Sequence, residues 1–186
     1  MRLFVSVDLP DALADPLADL QQEFGDAPGL RFTDPEQAHL TLKFLGEVDE
    51  KRVPEIEDAL ETAVDAAGVD PFDATVGGLG VFPSMEYISV VWVGIREGAG
   101  REELTRLHEA VERETTALGF DPEDHDFTPH VTLARMNDAR SKVRVQQVVR
   151  EQDPTLGTMR VSQIRLKASE LDRDGPTYST VSRIGL

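Results

Sequence analysis

Four histidines occur in the chain, His39, His108, His125 and His130. Two stand in matching contexts, His39-Leu40-Thr41-Leu42 and His130-Val131-Thr132-Leu133. Extended backbone sends alternate side chains to opposite faces. In a strand, each segment therefore puts its histidine and threonine on one face and its two aliphatic residues on the other. The aliphatic face belongs to a core, and the His/Thr face lines a groove open to solvent. Histidine exchanges a proton near neutral pH, with an ordinary pKa of about 6.5. Two of them can give one reaction both an acid and a base. Opening a cyclic phosphate by water needs such a pair on opposite sides of the phosphorus. It also gains from hydroxyls that donate to the non-bridging oxygens as charge builds there. Two copies of one motif would supply this as pseudo-symmetric halves, with no metal or cofactor.

The residues alone leave two other readings open. Both histidines would also suit half-buried sheet positions bonded to backbone. Metal binding is disfavoured, because neither motif has an acidic or second histidine ligand at a usual spacing. His108 sits beside Leu104, Leu107 and Val111 and reads as a packed or surface helical residue. His125, within Glu123-Asp124-His125-Asp126, reads as a solvated loop residue whose acidic neighbours raise its pKa, with the groove rim as the alternative. By strict alternation Lys43 shares the face of His39 and Thr41, where it would add positive charge, with a strand-end lysine at the edge as the equal alternative. Phe44, Phe82 and Phe127 read as core, with one of them a candidate for stacking a base.

The elements that must position these groups follow from periodicity and punctuation. Residues 2–8, 30–33, 39–45, 72–81, 87–95, 130–134 and 178–184 read as strands, and 158–164 and 165–170 as two strands or one bent strand. Leu13, Leu17, Leu20 and Phe24 fall at helical spacing, as do Val53, Ile56, Leu60 and Val64 before Gly68. Leu104, Leu107, Val111 and Leu118 mark another helix before Gly119, and residues 140–150 one more. Gly46 is read as ending its strand, and Phe82-Pro83-Ser84 as a turn. Strands in succession among the helices favour an α+β fold with antiparallel pairing, in one domain over 1–186. No Gly-rich phosphate loop of standard spacing occurs.

The charge is unusual. Asp and Glu number 35 against 19 Lys and Arg, a formal net charge of −16, and there is no cysteine. Such a field repels polyanions at low salt, but screening is nearly complete beyond about 3 Å at 1 M salt. A halophilic, cytoplasmic protein is the expectation, with an ordinary acidic protein as its alternative. No apolar run approaches the roughly 18 residues of a membrane span.

Several longer segments carry a resemblance. They are Arg2-Leu3-Phe4-Val5 with Asp8-Leu9-Pro10, His39 through Gly46, Gly80-Val81-Phe82-Pro83 and Val90 through Gly94. Phe127 through Arg135, Ser169-Glu170-Leu171 and Gly175-Pro176-Thr177-Tyr178 complete them. On these the chain resembles the 2H phosphoesterase superfamily, specifically the bacterial and archaeal RNA 2′,3′-cyclic phosphodiesterases also called 2′–5′ RNA ligases. The resemblance implies a bilobal fold, two pseudo-symmetric antiparallel sheets lining a central cleft with helices outside. It implies hydrolysis of an RNA 2′,3′-cyclic phosphate end to a 2′-phosphate, with reversible 2′–5′ joining as a second reaction. His39 would be the general acid and His130 the general base. Thr41, Thr132 and Arg135 would hold the phosphate. Strict alternation puts Arg135 on the face opposite His130, so it needs a bulge or the strand end to reach the site. The expected partner is RNA, tRNA fragments included, acted on by a monomer. A small nucleotide such as an ADP-ribose cyclic phosphate is the alternative substrate, and a non-catalytic RNA-end binder the alternative function.

Overall fold

The computed structural model describes residues 1–186. Its strands are β1 (Arg2–Asp8), β2 (Leu30–Phe32), β3 (His39–Glu47), β4 (Phe72–Pro83), β5 (Ile88–Ile95), β6 (His130–Met136), β7 (Thr155–Val161), β8 (Gln163–Asp172) and β9 (Gly175–Gly185). Its helices are α1 (Ala14–Gln22), α2 (Val53–Ala67), α3 (Arg101–Ala117) and α4 (Lys142–Glu151). α2 illustrates how sequence sets an element. Asp49 accepts from the Lys51 amide to start the preceding turn, and Pro54 occupies the first helical turn. Ile56, Leu60, Ala63 and Val64 face inward, and Gly68 closes the helix at φ 61°.

All strand pairings are antiparallel, in the order β7-β4-β5-β6-β3-β1-β8-β9, with β2 also on β6. The order is two four-stranded halves placed head to head. In each, a histidine strand (β6 or β3) leads outward through two strands to an edge. The halves meet through one pair, Leu40 opposite Val131. Two helices cross between the halves: α1, which follows β1, lies on β6 and β7, and α3, which follows β5, packs with α2 over β3 and β9, while α4 lies on β4. One cluster of 37 buried apolar residues runs between sheet and helices. The opposite face of the sheet is the cleft. No helix is long and apolar enough to cross a membrane.

Several element boundaries differ from the sequence reading, β7 (155–161 rather than 158–164) and the following three among them. β3 passes through Gly46 to Glu47, because Gly46 takes φ 77° at an irregularity opposite Leu3 and Phe4. β4 runs on through Phe82 and Pro83, which pair with Val90 and Ile88 rather than turning. β9 starts at Gly175, so β8 and β9 make one long hairpin.

Candidate active site

Leu40 and Val131 are fully buried at the bridge between the halves, so the residues flanking them point into the cleft. Continuing the antiparallel register places His39 across from Thr132 and Thr41 across from His130. The two histidines are then diagonal neighbours, about 7–8 Å apart at the backbone, with room for a tetrahedral phosphate between them.

Each imidazole is held the same way. His39 Nδ1 donates to the Gln37 carbonyl at 3.0 Å, and His130 Nδ1 donates to the Thr128 carbonyl at 2.7 Å. A carbonyl can only accept, so Nδ1 carries hydrogen in both and each Nε2 is left for chemistry. Aromatic rings frame both. Phe4 and Tyr178 lie 4.9 and 4.8 Å from the His39 ring, and Phe82 and Trp92 lie 4.9 and 5.9 Å from the His130 ring. Gly80 makes the second frame possible, since a Cβ there would sit 2.1 Å from the Trp92 indole.

Burial lowers the pKa of His39; its carbonyl bond and the Asp8 carboxylate oppose this, and Lys167 and His130 add to it. Burial also lowers the pKa of His130, against its carbonyl bond, and Arg135 and His125 lower it further. The charges around the two rings are thus unequal. A carboxylate favours the cation at His39, partly offset by Lys167, while the charges acting on His130 favour the neutral ring. A cavity of about 540 Å³ adjoins His39, lined in part by Asp8, Gln37, Arg165, Lys167 and Tyr178. Arg165 and Lys167 both bond Asp8 there, at 3.0 and 2.7 Å. No three His, Cys, Asp or Glu side chains gather as metal ligands.

Two β-bulges decide which further side chains reach the cleft. In β6 the register with β5 skips Leu133, so Leu133 and Ala134 both turn inward and Arg135 returns to the face of His130 and Thr132. This is the bulge that Arg135 requires. In β3 the register with β1 skips Leu42 in the same way. It turns Lys43 away from the cleft, correcting the expectation from strict alternation. Lys43 is 1% exposed on the helix side, where Nζ donates to Glu112 at 2.7 Å and to the Asp121 carbonyl at 2.6 Å. Phe44 takes the place in β3 that Arg135 holds in β6. It is 62% exposed rather than core, its ring 6.1 Å from Phe4. Phe82 also faces the cleft, against His130, while Phe127 stacks on His108 at 4.0 Å.

Residues remote in sequence hold both bulges. The Leu42 carbonyl accepts from His108 Nδ1 at 2.8 Å, so this buried histidine has a structural task. The Leu133 carbonyl accepts from Gln21 Nε2 at 3.1 Å and the Thr33 amide at 3.0 Å, and Thr33 Oγ1 bonds the Thr132 carbonyl at 2.8 Å. Sequence reasoning missed Gln21, Thr33, Asp8 and Tyr178. A polar Gln21 on the apolar stripe of α1 was one signal, and the presence of Asp8 and Tyr178 in the segments that carry the resemblance was another. His125 is exposed and bonds Asp124, which raises its pKa as expected.

The sequence model of the 2′-5′ RNA ligase superfamily matches residues 9–173. Among similar chains, a Methanothermobacter thermautotrophicus protein named RNA 2′,3′-cyclic phosphodiesterase is 35% identical over 181 residues, 96% of this chain and 95% of its own. An Aeropyrum pernix protein of the same name is 41% identical over 156 residues, 83% and 85% of the two chains. Among solved structures, one from Thermus thermophilus superposes with a TM-score of 0.79 at 29% identity, covering 100% of this chain and 98% of its own. E. coli LigT complexed with 3′-AMP gives 0.75 at 26%, covering 100% and 97%. The chain belongs to the 2′-5′ RNA ligase superfamily.

Proposed function

We propose that the protein hydrolyses the 2′,3′-cyclic phosphate at an RNA end to a 2′-phosphate, with His130 as general base and His39 as general acid. The observation that carries this reading is the matched pair of imidazoles. Each has Nδ1–H tied to its own backbone, a free Nε2 and a threonine beside it, across one bridge between the halves. The relatives named RNA 2′,3′-cyclic phosphodiesterase give the substrate class.

In this mechanism His130 Nε2 takes a proton from water as its oxygen bonds phosphorus. His39 Nε2–H gives a proton to the 3′-oxygen as the P–O3′ bond breaks, and the 2′-phosphate remains. Thr41, Thr132 and Arg135 donate to the non-bridging oxygens, where charge rises in the transition state. The unequal charges around the rings support the direction, since Asp8 favours the His39 cation and Arg135 the neutral His130. A ribose hydroxyl in place of the water gives 2′–5′ joining by the same proton transfers. The continuous sheet and single core support one domain over 1–186, which we read as a cytoplasmic monomer in a salt-rich cell, acting on RNA ends such as tRNA fragments.

The test is product analysis on an oligoribonucleotide ending in a 2′,3′-cyclic phosphate, with excess EDTA and molar KCl. Conversion to a 2′-phosphate end, abolished by His39→Ala or His130→Ala, is the expected result. A folded protein that leaves the cyclic end intact refutes the reading. Retained binding of a 2′-phosphate end without turnover would identify an RNA-end binder instead.

A further inference from the structure

Arg31 in β2 lies directly opposite Arg135 in β6. Opposed residues of an antiparallel pair share a face, their Cβ atoms about 4.5–5.5 Å apart, and like charges so placed are destabilising. A guanidinium cannot shed its charge to relieve this. Neither arginine takes part in any ion pair. The chain has 35 carboxylate residues to 19 cationic ones, so counter-charges are plentiful elsewhere. Two facing arginines without one leave an unneutralised positive spot on the cleft face.

A second observation fixes where Arg31 points. A Cβ on Gly175 would stand 2.8 Å from Arg31 Nη2, and Gly175 has φ 119°. The glycine lets the guanidinium cross from the β6 half to the β8–β9 hairpin of the other half. That hairpin also brings Tyr178 to the His39 ring. The Arg31 fork therefore reaches from the β6 half towards the β8–β9 hairpin of the other half, one cross-strand step beyond Arg135.

We propose that Arg31 binds a second phosphate, the one on the 5′-carbon of the nucleotide whose cyclic phosphate reacts, while Arg135 holds the reacting phosphate. The proposal rests on the cyclic phosphodiesterase reading above. Two phosphates on one ribose, at its 2′,3′ edge and its 5′-carbon, match two guanidinium groups on adjacent strands. A planar fork donating to phosphate oxygens is what arginine does well. The same chemistry arises from two sources, the phosphodiester of an RNA chain and the 5′-phosphate of a small nucleotide.

The experiment compares kcat/KM on three substrates: a nucleoside 2′,3′-cyclic phosphate, the same with a 5′-monophosphate, and a dinucleotide ending in the cyclic phosphate. The wild-type protein is expected to favour substrates with a 5′-side phosphate by on the order of tenfold, the scale of one hydrogen bond to a charged group. Arg31→Gln is expected to bring that ratio close to one, and Arg31→Lys to retain part of it. Preference for both phosphorylated substrates supports a phosphate subsite open to small nucleotides. Preference for the dinucleotide alone supports one that follows an RNA chain. Absence of any preference in the wild type overturns the proposal, as does a preference that survives in Arg31→Gln. So does an equal fall on all three substrates accompanied by a lower Tm, which would make Arg31 structural. Failure of the wild type on every substrate overturns the cyclic phosphodiesterase reading itself, a different result from turnover without preference.

Discussion

Replacing Lys43 with methionine separates the two places that this residue could occupy. On the cleft face, Lys43→Met would weaken substrate binding and leave the fold intact. The β3 bulge instead buries the side chain, with its ammonium on Glu112 and the Asp121 carbonyl. Methionine keeps much of the length and leaves both acceptors without that donor. Removing one partner of a buried ion pair costs about 3–5 kcal/mol. Glu112 keeps 21% of its side chain exposed and still accepts from the Glu123 amide at 2.7 Å. The lower end applies, about 3 kcal/mol. For a chain of this size the melting temperature should fall by about 6–12 °C, as read by calorimetry or circular dichroism. Turnover should fall as well, because Glu112 anchors the loop that leads to Thr128 and His130. A second readout follows from Glu112. Burial raises its pKa, but the Lys43 bond, the Glu123 amide and the Lys43 charge outweigh this and hold it below the ordinary value. The pair's contribution is therefore complete above the unfolded carboxyl pKa of about 4.3 and is lost as pH falls through the lower folded value. Wild type and Lys43→Met should converge in stability only in strong acid. An unchanged Tm with a raised KM would refute the buried placement.

Under the proposed mechanism the pH profile of kcat/KM should be a bell, with His130 neutral and His39 protonated. Both pKa values are lowered from 6.5, so the maximum should lie below pH 6.5. A bound phosphate favours the His39 cation, so the alkaline limb of kcat should lie higher; a flat profile over about pH 5–9 would refute the two-histidine mechanism. Gln21→Leu should cost about 1–3 kcal/mol, by leaving carbonyls of Thr33 and Leu133 without its amide, and should lower kcat/KM through Arg135. A double-mutant cycle tests this: the Gln21→Leu effect on kcat/KM should largely vanish in an Arg135→Ala background, and additivity would refute the link. At a net charge of −16, self-repulsion should make Tm rise steeply from dilute buffer to about 2 M KCl; an equal Tm in both would show that the acidic surface is not tuned to salt.

The histidine motifs were legible because alternation is a local rule. Leu40, Leu42, Val131 and Leu133 are all buried and the flanking His and Thr only half-buried, as period-two reasoning requires. What alternation could not give is where it stops. Lys43 and Arg135 follow their threonines at different distances, two residues and three, and strict alternation assigns each to the wrong face. One extra residue, Leu42 or Leu133, reverses both assignments. A bulge leaves a carbonyl outside the ladder, and a buried carbonyl needs a donor. Those donors come from His108 in α3 and from Gln21 and Thr33 near β2, far away along the chain. The histidine beside an apolar stripe and the threonine at the end of a short strand looked unremarkable locally; only the glutamine, polar on an apolar stripe, stood out. The inward turn of Lys43 and the outward turn of Arg135 are thus one event repeated in two halves. Its consequence is electrostatic asymmetry from a symmetric device. The same bulge presents a cation beside His130 and an aromatic ring, Phe44, along the cleft from His39. Two nearly identical motifs thereby acquire unequal electrostatic surroundings, and unequal surroundings are what the proposed base and acid, of the same residue type, would require.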